Sequence, residues 1–335
     1  MDAGPKRRIS TSAYAGAVEI DMLDRRIIHA LRVHGRAGFR EMAAVLGVSD
    51  QTVARRYRTL RERAGVRVVA RPDPIRLGYE RWIIRLHTAP GAAEPIAAAL
   101  ARRPDTTWVS IMSAGTEIGC NVEVPVVGDR DSLLLQKLPR TPRLVSVSAH
   151  CVIHSFAGGA VGPDNLQLPL TPAEVAGLAP PPADDDRPAA VADSDRPLLD
   201  ALSLDGRLTH AQLATATGWS ESAVRRRLDD LIRTGTLYFD VEVDPDRLGF
   251  HARVLLWLAV APSRLASVGA ALASHEEIVF AAATTGATNV VATVICSDME
   301  ALYRYLTERV GVLDGVERVE TAPLLRHVKQ VGSVR

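Results

Sequence analysis

Cysteine is scarce in this chain: Cys120, Cys151 and Cys296 are its three thiols. An odd count with no CxxC pair argues against a disulfide framework, so a reducing, cytoplasmic setting is expected. Lysine is nearly missing. It occurs at Lys6, Lys137 and Lys329, and arginine supplies the rest of the 40 basic residues. With alanine equally abundant, this bias fits GC-rich coding and suggests a bacterial source. No stretch approaches about 18 uncharged apolar residues, so no membrane span is expected. Basic residues between Met1 and Ser12 have no apolar run behind them, so no secretory leader is expected either. A Gly-rich phosphate loop, a nucleophile elbow and a paired-carboxylate motif are all missing, so the chain is not expected to be an enzyme. His150-Cys151-x-x-His154 puts both histidines on one face of a strand, with Cys151 pointing away. No second cluster completes a tetrahedral set, so neither a metal nor a cofactor is expected.

What is present is ordinary in bulk and unusual in arrangement. The 335 residues are 47% hydrophobic and 24% charged with a net charge of +1. That is enough chain for two to four domains with cores of their own. A set of short motifs occurs twice. Gly35-Arg36 returns as Gly206-Arg207, and Gly47-Val48-Ser49 as Gly218-Trp219-Ser220. Val53-Ala54-Arg55-Arg56 returns as Val224-Arg225-Arg226-Arg227, and Asp73-Pro74-Ile75-Arg76-Leu77-Gly78 as Asp244-Pro245-Asp246-Arg247-Leu248-Gly249. The offset is 171 throughout (206 − 35, 224 − 53, 244 − 73). Such a period is far beyond the roughly 20–50 residues of a solenoid repeat. A whole domain set is duplicated.

Each copy opens with helical spacing: Leu23, Ile27, Ile28 and Leu31 in the first, Leu198, Leu199 and Leu202 in the second. Gly35 and Gly206 read as helix-terminating glycines. A short second helix covers about 40–46 and 210–217. Gly47 and Gly218 then make a tight turn, and Ser49 and Ser220 cap a third, amphipathic helix. The β-rich stretches Val66–Ala70 and Leu237–Val243 fit a two-stranded wing in each copy. A strand–helix–strand–strand–helix–strand pattern follows. In the first copy it runs Trp82–Thr88, Ala93–Ala101, Trp108–Ser113, Ile118–Val124, Arg130–Lys137 and Leu144–Ile153. In the second it runs Ala252–Val260, Arg264–Ala273, Val279–Thr285, Val290–Ile295, Met299–Val310 and Val316–Leu324. The fold class expected is α+β, in two tandem modules, each a winged helix-turn-helix followed by a ferredoxin-like βαββαβ domain. The boundaries expected are a flexible tail at 1–20, readers at 21–72 and 194–243, and ferredoxin-like domains at 78–156 and 249–330. A Pro/Ala-rich linker at 157–193 joins the copies, semi-extended by its prolines, with a capping-box helix start at Thr171-Pro172-Ala173-Glu174.

A helix-turn-helix offers the N-terminal side chains of its second helix to base edges in the major groove of double-stranded DNA. Here these are Asp50, Gln51, Thr52, Arg55, Arg56 and Arg58, and in the repeat Glu221, Ser222, Arg225, Arg226 and Arg227. An arginine fork suits guanine or phosphate, and Gln51 suits adenine. From Val53 to Arg67 six arginines face one acid. From Val224 to Tyr238 four face two. The first reader is therefore expected to bind DNA more strongly.

The order of parts, the Gly-Arg, Gly-x-Ser and double-arginine motifs, and the Arg-Leu-Gly linker ends (Arg76-Leu77-Gly78, Arg247-Leu248-Gly249) resemble the Lrp/AsnC family across about 21–156 and 194–330. The resemblance implies a DNA-binding transcription regulator gated by an amino acid or related small molecule, self-associating through its ferredoxin-like sheets. The family's Gly-x-x-Asp turn, near its ligand cleft, is altered in both copies. The chain has Ala114-Gly115-Thr116-Glu117 and Gly286-Ala287-Thr288-Asn289, so the two pockets are expected to differ. Thr116, Glu117, Thr285, Gly286, Thr288 and Asn289 are the candidate effector-side residues. Two alternatives share the architecture. One is a sirohaem decarboxylase-like enzyme, for which His251 and Arg253, with Glu80 and Trp82 opposite them in the first copy, are the residues in position. The other is a protein-interaction scaffold that has lost DNA.

Overall fold

The computed structural model describes residues 20–126, 141–159, 169–183 and 191–330. The expected tail, the helix expected over Arg130–Lys137 and parts of the linker lie outside the described residues. The first reader comprises α1 (Met22–Val33), α2 (Phe39–Leu46) and α3 (Asp50–Ala64). Asp21 caps α1 in a reciprocal box with Asp24, and the Ser49 hydroxyl accepts the Thr52 N–H at 3.1 Å to start α3. The turn between α2 and α3 needs Gly47, whose φ is +69°.

Beyond α3 come β1 (Arg67–Pro72), β2 (Tyr79–Thr88), α4 (Ala93–Ala101), β3 (Thr106–Met112), β4 (Glu117–Pro125) and β5 (Leu144–Ala157). The linker contributes α5 (Pro172–Leu178), capped by Thr171 and Glu174. This helix docks on the first reader. Leu170 and Leu178 join its core, and Glu174 pairs with Arg26 at 2.5 Å. The second copy runs α6 (Arg196–Leu204), α7 (His210–Thr217), α8 (Glu221–Arg233), β6 (Leu237–Glu242), β7 (Ala252–Val260), α9 (Leu265–Ala273), β8 (Ile278–Thr284), β9 (Val290–Cys296), α10 (Met299–Arg304) and β10 (Val316–His327). One π-helical turn, Tyr305–Val310, extends α10.

The wing differs from the one expected in each copy. β1 pairs antiparallel with β6, so each module gives one strand to a ribbon shared between them. Val69 opposes Asp240, its own counterpart at offset 171, so a pseudo-twofold axis passes through that pair. Burial explains the exchange. Val241 and Val243 complete the first reader's core, while Ala70 sits in the second reader's core.

Each ferredoxin-like sheet keeps the order β3-β4-β2-β5 or β8-β9-β7-β10, and the two close into one eight-stranded barrel. The long last strands make the closure. β5 pairs with β2 through Leu144–Cys151 and then with β8 through Val152–Ala157. β10 pairs with β7 up to Pro323 and then with β3. Strand alternation divides the side chains. Ile84 and Leu86 pack outward on Ala97 and Leu100 of α4, whereas Ile83, Trp257 and Val291 cluster inside the barrel.

Candidate nucleic-acid interface and the cavity behind it

On α3, Asp50, Gln51, Arg55 and Arg58 are exposed, and Thr52 is half-buried with its hydroxyl on Ser49. On α8, Glu221, Ser222, Arg225 and Arg226 are exposed. Among the described residues, the guanidinium groups of Arg55, Arg58, Arg225 and Arg226 have no hydrogen-bond or ion-pair partner. The candidate set splits at this point. Arg56 reaches back to Asp21 at 2.6 Å and to the buried Asp24 at 3.3 Å. Its counterpart Arg227 grips the buried Asp195 through Nε at 2.8 Å and Nη2 at 2.6 Å. Burial opposes the Asp195 charge, but the Arg227 bonds outweigh it and hold the carboxyl below its ordinary value. The geometry places Arg56 and Arg227 as struts between the first and third helices of their readers.

The repeated Gly-Arg motif has a role that sequence reasoning missed. Arg36 donates to the carbonyls of Gly206 and Leu208 at 2.6 and 3.0 Å, and Arg207 donates to those of Gly35 and Ala37 at 2.7 and 2.9 Å. Each reader thus holds the other. The arginine also lies over an aromatic ring, Phe239 for Arg36 and Phe39 with Tyr57 for Arg207. Neither glycine terminates its helix in a left-handed conformation, because the cap residues His34 and Asp205 are extended. Both are glycine because the ribbon passes close. A Cβ at Gly35 meets Phe239 Cβ at 2.5 Å, and one at Gly206 meets Phe239 Cδ1 at 3.1 Å.

Beneath the ribbon, a cavity of about 720 Å³ opens into the barrel. Arg71, Tyr238 and Glu242 line it from the ribbon, and Arg81, Trp108, Arg253 and Phe280 from the strands. Deeper in the barrel, Arg85 is clamped by Glu117 at 3.0 Å and Glu320 at 2.7 Å and lies over Trp257. Burial opposes the Arg85 charge, and the two carboxylates outweigh it, raising its pKa.

The strand register corrects the pairing of the copies. Ile84 opposes Cys120, and Leu256 opposes Ala292. The barrel counterparts are therefore offset by 172 (256 − 84, 292 − 120), one residue more than the motifs. Arg253 corresponds to Arg81 rather than Trp82, and His251 to Tyr79 rather than Glu80. His251 stands 65% exposed beside Asp246 and does not line the cavity, whereas Arg253 does.

The candidate effector-side turns are held by the fold. The Asn289 side chain clamps Val260, accepting its N–H and donating to its carbonyl, both at 2.8 Å. Glu117 faces Arg85 inside the barrel. The Thr285 hydroxyl accepts the Cys151 N–H, and Gly286 lies against the His150 ring. Thr288 is buried, and the exposed Thr116 donates to the Ser113 carbonyl. Among the described residues no group of three or more His, Cys, Asp or Glu could hold a metal ion. No described helix is long and apolar enough to cross a membrane.

Comparison with known proteins matches the AsnC-type helix-turn-helix domain to residues 20–61 and again to 193–232, and the Lrp/AsnC ligand binding domain to 253–334. Both are domains of the Lrp/AsnC family. Its reader domain is present twice. An uncharacterised HTH-type transcriptional regulator of Pyrococcus abyssi is 29% identical over 142 residues, which is 42% of this chain and 89% of the relative. The HTH-type transcriptional regulator LrpA of the same organism is 28% identical over 140 residues, 42% of this chain and 99% of the relative. Among solved structures, the siroheme decarboxylase NirDL covers 93% of both chains with a TM-score of 0.62 at 14% identity. That likeness is one of fold, and it extends over both modules.

Proposed function

We propose that this chain is a sequence-specific DNA-binding transcription regulator, and not an enzyme, with a small molecule as its effector. The observation that carries the reading is the division of labour among the reader arginines. Arg36 and Arg207 tie the two readers to each other and Arg56 and Arg227 brace each reader internally, while Arg55, Arg58, Arg225 and Arg226 project from the recognition helices with no protein partner among the described residues. Unpaired exposed guanidinium groups at the start of two recognition helices suit phosphates and guanine edges. The Lrp/AsnC domain content supports the same reading.

The recognition helices begin differently, Asp50-Gln51-Thr52 against Glu221-Ser222-Ala223. The operator is accordingly proposed to have unequal half-sites. Mobility shifts of the full chain on duplexes from its own upstream region, at several salt concentrations, test the proposal. A shift that weakens steeply with salt and survives competitor DNA is expected. No shift with any duplex at low salt overturns it in favour of a scaffold. A decarboxylase reading has only the shared fold behind it, and turnover of sirohaem would establish it instead.

A further inference from the structure

We infer that the cavity beneath the shared ribbon binds a small organic carboxylate with an aromatic or branched apolar body, and that this is the effector site. The inference rests on the regulator reading for its role and on the cavity alone for its chemistry. At about 720 Å³ the space suits a small organic molecule. Five guanidinium groups line it, from Arg32, Arg36, Arg71, Arg81 and Arg253, against two carboxylates, Asp240 and Glu242. Both acids lie beside Arg71, at 3.7 and 3.5 Å. Arg253 pairs with Asp246. Arg81 donates to the neutral Ser155 hydroxyl at 2.6 Å and has no carboxylate within ion-pair distance among the described residues. Burial pushes up the carboxyl of Glu123, the acid opposite Arg81 on β4, and the Arg81 charge works against that rise.

Three of these side chains keep a buried donor without an acceptor: Nε of Arg71, of Arg81 and of Arg253. Buried charged donors are costly when unmatched, and an anion supplies what is missing. The walls between the donors are apolar: Ile83, Leu255, Val291 and the rings of Trp108 and Phe280. Trp108 is held there at a cost. Its φ is +51°, at a bulge where the β3–β4 register shifts between Thr107 and Ser110. A bulky residue with a left-handed backbone is strained, and bulges re-aim side chains toward sites. Arg71 lies over this ring, 5.3 Å from its centre. Pseudo-symmetry puts Phe280 opposite, so the ligand faces an aromatic wall from each module.

The placement gives the site its leverage. A ligand between Arg71 on the ribbon and Arg81 and Arg253 on the two barrel halves touches the reader pair and both sheets at once. A ligand with different affinities for two reader geometries must shift their populations.

Calorimetric titration of the full chain tests the inference, with indole-3-acetate and 4-methyl-2-oxopentanoate as carboxylate probes and indole-3-acetamide as the uncharged match. The carboxylates are expected to bind and the amide to fail. Arg81→Gln and Arg253→Gln should each weaken carboxylate binding at least about tenfold, the loss of a charge-assisted hydrogen bond. Arg102→Gln, exposed at the end of α4 and away from the cavity lining, should leave it unchanged. Thermal unfolding of each variant guards against misfolding. Equal binding of amide and carboxylate, no binding of either carboxylate, or binding indifferent to both arginine substitutions overturns the inference. Binding of sirohaem in place of both carboxylates replaces it with a tetrapyrrole site. Mobility shifts with and without indole-3-acetate separate the two claims. Carboxylate binding by a protein that never shifts DNA leaves the cavity assignment standing and removes the regulator. A DNA shift with no carboxylate binding does the reverse.

Discussion

Arg36 and Arg207 occupy the same position in the two readers, and each donates its guanidinium to the backbone of the other's Gly-Arg turn. The four bonds cross between modules, so together with the shared ribbon they tie one reader to the other. Alanine at either position leaves two carbonyls without a donor and should cost about 1–3 kcal/mol. Thermal unfolding should show a clear drop for each single variant. Lysine keeps the charge but cannot fork between two carbonyls, so Arg36→Lys should recover little of the loss. Recovery to the wild-type midpoint would show that charge alone is needed.

The two glycines beneath those arginines should not tolerate alanine equally. A Cβ at Gly35 meets Phe239 Cβ at 2.5 Å, an atom fixed to its own backbone. At Gly206 the nearest atom is the ring carbon Phe239 Cδ1 at 3.1 Å, which can give by a few tenths of an ångström. Gly35→Ala should therefore destabilise by about 1–3 kcal/mol, and Gly206→Ala by clearly less. Denaturant unfolding of both variants gives the order, and the reverse order contradicts the asymmetric packing of Phe239.

Neighbouring arginines on α3 should behave in different ways. Arg55→Ala and Arg58→Ala should each reduce the salt dependence of DNA binding by about one phosphate equivalent, with little change in unfolding temperature. Arg56→Ala removes the partner of Asp21 and of the buried Asp24, so its main effect should be on stability. Salt titrations paired with thermal melts check this. A change in salt slope for Arg56→Ala larger than for Arg58→Ala would return Arg56 to the DNA face.

Docking of the linker helix should depend on pH. His29 Nδ1 accepts the Leu170 N–H at 3.1 Å, which requires an unprotonated nitrogen. Burial, reinforced by Arg32, lowers the His29 pKa from 6.5 to about 4. The folded form binds the proton less readily than the unfolded form. The stabilisation is therefore complete above about pH 6.5 and is lost as the pH falls toward 4. Proteolysis at the linker should accelerate over that window, and His29→Gln should flatten the response. A linker cleaved at the same rate at pH 7 and pH 5 contradicts it.

Local patterns in the sequence carried the elements, and contacts between the copies carried the rest. Ala93–Ala101 and Ala252–Val260 have the bounds expected of them, because an alanine-rich run and an apolar run broken only by Arg253 need no partner to be read. The serine caps of α3 and α8 were legible for the same reason. The shared ribbon was not, since β1 and β6 pair over a separation of some 170 residues and either could have formed a local hairpin. The Gly-Arg repeat was visible as a repeat, but its partner was the other copy of itself. Arg81 was hidden by a single inserted residue. A strand slipped by one presents its opposite face, so a motif offset carried into the barrel paired Arg253 with the wrong neighbour. Arg56 and Arg227 could have been separated from the DNA face by noticing that Asp24 and Asp195 also recur at offset 171.

Closing the barrel inside one chain changes how occupancy of DNA responds to protein abundance. Where two separate chains must meet before both readers are present, the competent species grows as the square of a dilute concentration. Here β5 and β10 join the halves covalently tethered, and pairing is a folding step that dilution does not undo. On the proposed operator of two unequal half-sites, occupancy by a single molecule is then expected to follow a simple hyperbola in protein concentration. The dose of such a regulator would be read linearly from the first few copies made.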